Sequence, residues 1–163
     1  MIELRPEPLT RAAFAPFGEV IETGGAKHFP INAGTIERHH DLARVEPGEG
    51  GRALISLATC NRTTELPCRV ALVERHPLGS QAFIPLNETP LYVVVAPPGE
   101  TVDPARLRAF VSDGRQGINY HPGVWHMPLI TPDLEQRFII VDRGGPGDNC
   151  DEYPLDEEVL LTP

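Results

Sequence analysis

The stretch VALVERHPLGSQAFIPL, residues 70–86, decides how the chain folds. Its first half is aliphatic and β-branched, it breaks at His-Pro-Leu-Gly-Ser, and it resumes as a second apolar run, which is the pattern of strand, turn and strand. Side chains alternate across a strand, so Val70, Leu72, Glu74 and His76 share one face. A carboxylate and an imidazole among aliphatic neighbours put that face inside. After the turn, Gln81 opens a second strand, expected to run back beside the first and bring its amide toward His76. A later piece, PGVWHMPL (122–129), adds His126 to the same interior and turns Trp125 to the opposite face.

Working outward, similar runs recur at RALISLAT (52–59), CRVALVER (68–75), QAFIPL (81–86), LYVVVAP (91–97), LRAFVS (107–112), GVWHMPLI (123–130) and RFIIVDR (137–143). Turn clusters such as NETP, PPGE, SDGRQG and TPDLE separate them. In a chain with 18 prolines and 15 glycines, this many short strands predict an all-β sandwich or barrel. Two short helices are expected, one capped by Thr10 and stopped at Pro16, the other capped by Asp103 with Pro104 at its first position. The polar segment GTIERHHDLARVEPGEGG (34–51) reads as an arm with a short extended piece docked over the sheet. The predicted organisation is a single domain: arm and docking strands over 1–50, core over 51–145, and an acidic tail over 146–163 that wraps the outside, meets a partner subunit or stays solvated.

A net charge of -9 with a pI near 5.1 excludes a surface that tracks nucleic-acid phosphates. No apolar run is long enough for a membrane helix and no basic leader is visible, so a soluble cytoplasmic protein is expected, with no membrane partner. Cys60, Cys68 and Cys150 are odd in number and form no C-x-x-C pair, which predicts reduced, packed thiols. DRGGPGDN (142–149) lacks the Lys-Ser/Thr of a phosphate loop and reads as a turn. Ser56 and Ser80 have no nucleophile-elbow context.

The polar residues of the two quoted stretches resemble the cupin pattern, His-x-His-x4-Glu on one hairpin and a further His after a Pro-Gly turn. Here those slots hold Glu74, His76, Gln81 and His126, so the spacing is kept while two first-hairpin residue types differ. Two imidazoles and a carboxylate suit a divalent ion, and Gln81 is either a weak oxygen ligand or an amide facing the substrate.

Longer motifs narrow the resemblance. FPINAGTIERHHDLARV (29–45), ERHPLGSQAFIPL (74–86), LRAFVSDGRQGINYHPGVWHMPL (107–129) and VDRGGPGDNCDEY (141–153) resemble the ureidoglycolate lyase family, formerly called ureidoglycolate hydrolases, from about AFAPFGEVIE (13–22) to the tail. The resemblance implies a cupin-like jelly-roll barrel, a homodimer, and conversion of (S)-ureidoglycolate to glyoxylate and urea in allantoin breakdown. The family often reads VWHHPL where this chain has Met127; alternation turns residue 127 away from His126, so the pocket is expected to be spared.

That reaction removes a hydroxyl proton while a carbon–nitrogen bond breaks, and delivers a proton to the leaving nitrogen. His126 or His76 is expected to handle the hydroxyl, directly or through an ion, nickel or another first-row metal, if one is bound. Glu74 is the competing base, and Tyr120 and His121 on the entering turn are candidate acids. Arg137, Arg143 and Arg38 are candidates for the substrate carboxylate, while Arg75 alternates away from Glu74 and His76. Gln81 suits the ureido head because it both donates and accepts. His39 and His40 cannot face the same side of an extended strand, so at most one would reach the pocket or a partner subunit. Two rival readings remain: another metal-dependent cupin enzyme, an isomerase or dioxygenase, and a non-catalytic small-molecule binder.

Overall fold

The computed structural model, which describes residues 1–163, is built almost entirely from strands. Two sheets carry the architecture. One orders Asp151–Pro154, Leu72–Arg75, Trp125–His126, Tyr92–Ala96, Arg108–Val111 and Glu7–Pro8; the other orders Gly18–Ile21, Gly117–Tyr120, Gln81–Pro85, Arg137–Gly144 and Arg52–Thr59. From residue 72 onward the chain crosses repeatedly between them, the wiring of a jelly roll. No ladder joins the two, so the expected barrel is realised as an open two-sheet sandwich.

The core follows from alternation. Leu91, Val93, Val95 and Phe110 from the six-stranded side meet Val20, Ile118, Tyr120 and Phe138 from the five-stranded side, with Phe14 and Phe17 packed among them. Val94, Ala96, Ala109 and Trp125 point the other way, where a third, small sheet of Ile2–Leu4, Val159–Leu161 and Cys68–Arg69 covers them with Leu4, Val159 and Leu161. The strand Tyr92–Ala96 is therefore buried on both faces, which is why LYVVVAP is a continuous apolar run.

Both caps form: Thr10 Oγ1 accepts from the Ala13 amide at 3.2 Å and Asp103 Oδ1 from the Ala105 amide at 3.0 Å. The arm docks on the five-stranded sheet. Arg44 donates its amide to the Glu19 carboxylate at 3.1 Å, and Asn119 Nδ2 donates to the Arg44 carbonyl at 2.8 Å. Its extended piece, His28–Ile31 with Ile36–His39, forms a separate two-stranded hairpin.

Three expectations are corrected. The run 68–75 is two strands in different sheets, because the Val70 amide donates to Val159 and carries Val70 into the outer core beside Val73, away from Glu74. Gln81–Pro85 does not pair with Leu72–Arg75; it belongs to the facing sheet. Of the readings of the acidic tail, a merely solvated end is set aside, since Asp151–Pro154 pairs with Leu72–Arg75 at the sheet edge and Val159–Leu161 is clasped between Ile2–Leu4 and Cys68–Arg69, with Val159 and Leu161 fully buried while Asp156, Glu157 and Glu158 stay exposed. No helix is long and apolar enough to cross a membrane.

Candidate active site

His126 stands directly opposite Glu74 across the pair Trp125–His126 and Leu72–Arg75, and opposite Val95 on its other side. Val95 belongs to the inter-sheet core, so this register sets Glu74 and His126 on the inner wall. His76 follows one residue beyond the strand. The turn that delivers His126 is tied to it: Pro122 and Gly123 are its central residues, Gly123 has φ +79°, and the Gly123 amide donates to the His76 carbonyl at 2.9 Å.

The ring orientations follow from backbone acceptors. His76 Nδ1 lies 2.8 Å from the Asn149 carbonyl, and His126 Nδ1 lies 3.1 Å from the Val124 carbonyl. A carbonyl only accepts, so in each neutral ring Nδ1 carries the hydrogen and Nε2 keeps a bare lone pair. Both lone pairs face one oxygen: His126 Nε2 is 3.5 Å and His76 Nε2 3.9 Å from Glu74 Oε1. All three atoms lie within 4.8 Å of one another, and both Nε2 atoms are buried without a hydrogen-bond partner. Two lone pairs and a carboxylate turned on one point repel unless a cation or proton sits among them. The donor set therefore fits a divalent ion.

When a proton instead sits on His126 Nε2, its hydrogen bond to the carboxylate holds the Glu74 carboxyl below the usual carboxylate range, with burial working against it and a charged His76 reinforcing it. Tyr120 stacks on His126 with ring centroids 4.2 Å apart and an interplanar angle of 12°. Burial, and then the nearby Glu74 charge, push its hydroxyl far up, so it stays protonated across the working range. Cys150 reaches the rim, its Sγ 3.9 Å from Glu74 Oε2.

Gln81 stands on the facing sheet, directly opposite Tyr120 in register and so on the same inner face as the ring that stacks on His126. Its Nε2 donates to Asp142 Oδ2 at 3.2 Å, and its Oε1 is buried without a partner. Asp142, which accepts that hydrogen bond, is a residue that the sequence reading passed over. The signal was parity: Phe138, Ile140 and Asp142 share a face of Arg137–Gly144, and Phe138 is in the core.

The other candidates lie elsewhere. His121 follows Tyr120 on the opposite parity and borders an outer groove with Arg11 and Glu19. Arg137 is exposed at the far end of its strand. Arg143 faces outward and spends its guanidinium on the Pro47, Glu49 and Pro146 carbonyls. Arg38 is exposed on the hairpin opposite Phe29. Arg75 does face away: it lies 4.7 Å over the Trp125 ring and pairs with Asp151 at 2.8 Å. Met127 packs with the outer cluster that holds Trp125, clear of His126. A surface cavity of about 430 Å³ beside Arg11, Lys27 and His40 contains none of the converging atoms.

These features define a small jelly-roll protein with a two-histidine, one-carboxylate centre on the inner wall of its sandwich. The family model for ureidoglycolate lyase matches residues 1–162. Over 166 residues the chain is 51% identical to the ureidoglycolate lyase of Pseudomonas aeruginosa (strain UCBPP-PA14), covering 100% of this chain and 98% of the relative. It is 56% identical over 163 residues to that of Burkholderia mallei (strain NCTC 10229), covering 99% and 95%, and 52% identical over 162 residues to that of Pseudomonas entomophila (strain L48), covering 99% and 96%. The chain belongs to the ureidoglycolate lyase family.

Proposed function

We propose that this chain is a carbon–nitrogen lyase that cleaves (S)-ureidoglycolate to glyoxylate and urea in allantoin breakdown. The observation that carries this reading is the convergence of Glu74 Oε1 with two bare imidazole nitrogens, in a chain related along its whole length to ureidoglycolate lyases. The reacting carbon of the substrate bears a hydroxyl, a carboxylate and the ureido nitrogen. As the hydroxyl proton leaves, the O–H electron pair becomes the aldehyde C=O, and the C–N pair departs with nitrogen, which takes up a proton to give urea. His126 and His76, through Nε2, offer the lone pairs that accept the hydroxyl proton, and Glu74 is the competing acceptor. Tyr120, stacked on His126, is the candidate whose hydroxyl hydrogen faces the leaving nitrogen, and the proton taken by the imidazole is the one returned to that nitrogen. Gln81 Oε1 receives a ureido N–H.

A divalent first-row ion, nickel among them, held by Glu74, His76 and His126, would supply positive charge that favours loss of the hydroxyl proton. Arg137 and Arg143 turn outward and Arg38 is exposed on the separate hairpin, which leaves the cation for the substrate carboxylate to such an ion. The same reading makes the chain a cytoplasmic homodimer. Ile55 and Leu57, 79% and 73% exposed on the edge strand Arg52–Thr59, offer an apolar surface to a second copy, and three free cysteines suit a reducing compartment.

The test is a urea-release assay on racemic ureidoglycolate with the metal content of the protein recorded. Half of the racemate should be consumed, with one glyoxylate per urea. Saturable binding without urea release would make the protein a binder, and conversion without urea would make it another kind of enzyme.

A further inference from the structure

We infer that Asp142 is a positioning residue: it fixes the Gln81 amide with its carbonyl oxygen toward the ureido N–H groups of the substrate, and it is why an amide rather than a carboxylate stands at position 81. The inference rests on the reading above that the ureido head lies against Gln81. Asp142 shares the parity of Phe138 and so looks into the sandwich. It forms no ion pair, and its side chain makes a single hydrogen bond, from Gln81 Nε2 at 3.2 Å. An ionised carboxylate only accepts, so the amide must present its NH2 group to Asp142, and the other end of the amide is thereby decided. That end, Oε1, is buried with no donor anywhere in the chain. A buried acceptor without a partner asks for one from outside, and the ureido group supplies N–H donors.

The pair also accounts for the departure from the cupin pattern. A carboxylate in place of the Gln81 amide would set a second negative charge against Asp142 on the same inner wall, and two such groups cannot both stay ionised at that range. A charged Asp142 and a neutral Gln81 are one arrangement, and exchanging the two side-chain chemistries should preserve it. In the exchanged pair the introduced amide donates to the introduced carboxylate, whose second oxygen still faces the substrate as an acceptor.

The experiment measures kcat, KM and melting temperature for Gln81→Ala, Gln81→Glu, Asp142→Asn, Asp142→Leu and the double exchange Gln81→Glu/Asp142→Asn. Gln81→Glu alone should lose about 100-fold in kcat/KM, and the double exchange should regain at least about 10-fold of it. A double exchange no better than Gln81→Glu overturns the inference. If Gln81→Glu does not fold, the two Asp142 variants decide: Asp142→Leu, which cannot accept, should raise KM several-fold more than Asp142→Asn at matched melting temperature, and equal KM values overturn the inference. Unchanged kinetics in Gln81→Ala would remove the ureido seat itself, a failure of the underlying reading that the Asp142 variants do not mimic.

Discussion

In the hairpin of the arm, His28 Nδ1 lies 2.7 Å from Glu37 Oε1, with side chains 59% and 45% exposed, and His28 packs against His39 with ring centroids 5.5 Å apart. Between the sheets, His76 and His126 also pack ring to ring, at 5.1 Å, and also share one carboxylate, but at 3.9 and 3.5 Å, with the two imidazoles only 16% and 3% exposed. The residue types are the same in both places. At the hairpin the imidazole and carboxylate meet in water and satisfy each other at hydrogen-bond range. In the sandwich, backbone carbonyls take the Nδ1 hydrogens first, so both remaining lone pairs and the carboxylate are turned on one point. Preorganised convergence of this kind distinguishes a site from a surface ion pair.

Substitutions in the two regions should therefore differ widely in effect. Glu74→Gln and His76→Ala should each lower turnover by roughly 10²–10⁴-fold, the range of a positioned acid or base, with the far-UV spectrum unchanged. Steady-state urea release checks this, and activity within about tenfold of wild type would make the centre ordinary core. A titration of divalent metal followed by calorimetry should find one ion per chain, weakened at least about 10-fold in His76→Ala and untouched in His28→Ala. Gln81→Ala should raise KM more than it lowers kcat, because its amide touches the part of the substrate that does not change charge first; the opposite split would assign it to the transition state. Smallest of all, Glu37→Gln at the exposed hairpin pair should change the unfolding free energy by less than about 1 kcal/mol, measured by urea denaturation.

Much of the inner centre is legible in the sequence because it depends on local rules. Alternation puts Glu74 and His76 on one face, and a Pro-Gly turn announces His126. Gln81 stands out by its spacing, although it arrives from the facing sheet rather than along a hairpin, since a Pro-Leu-Gly-Ser turn does not say whether the chain returns to the same layer. Asp142 escapes because it follows the apolar residues for which its run was chosen, and its one partner lies 61 residues away. The acidic tail hides two strands, as Val159 and Leu161 are buried apolar residues set just after a run of carboxylates. Gly117–Tyr120, buried at all four positions, reads as part of a loop because Gly and Asn are poor strand formers, whereas here Gly117 lies so near Phe83 and Ile84 that a side chain would not fit. Arg143 attracts notice by charge alone, yet its parity and the loop carbonyls around it commit it to holding the arm.

The decisive comparison is the rate of urea release from ureidoglycolate by His126→Ala and by the double variant His28→Ala/His39→Ala. Turnover should fall by several orders of magnitude in the first, with fold and melting temperature retained, and stay within about twofold of the parent in the second. Comparable rates in the two proteins would contradict this expectation, because the buried histidine would then do no more than the exposed ones.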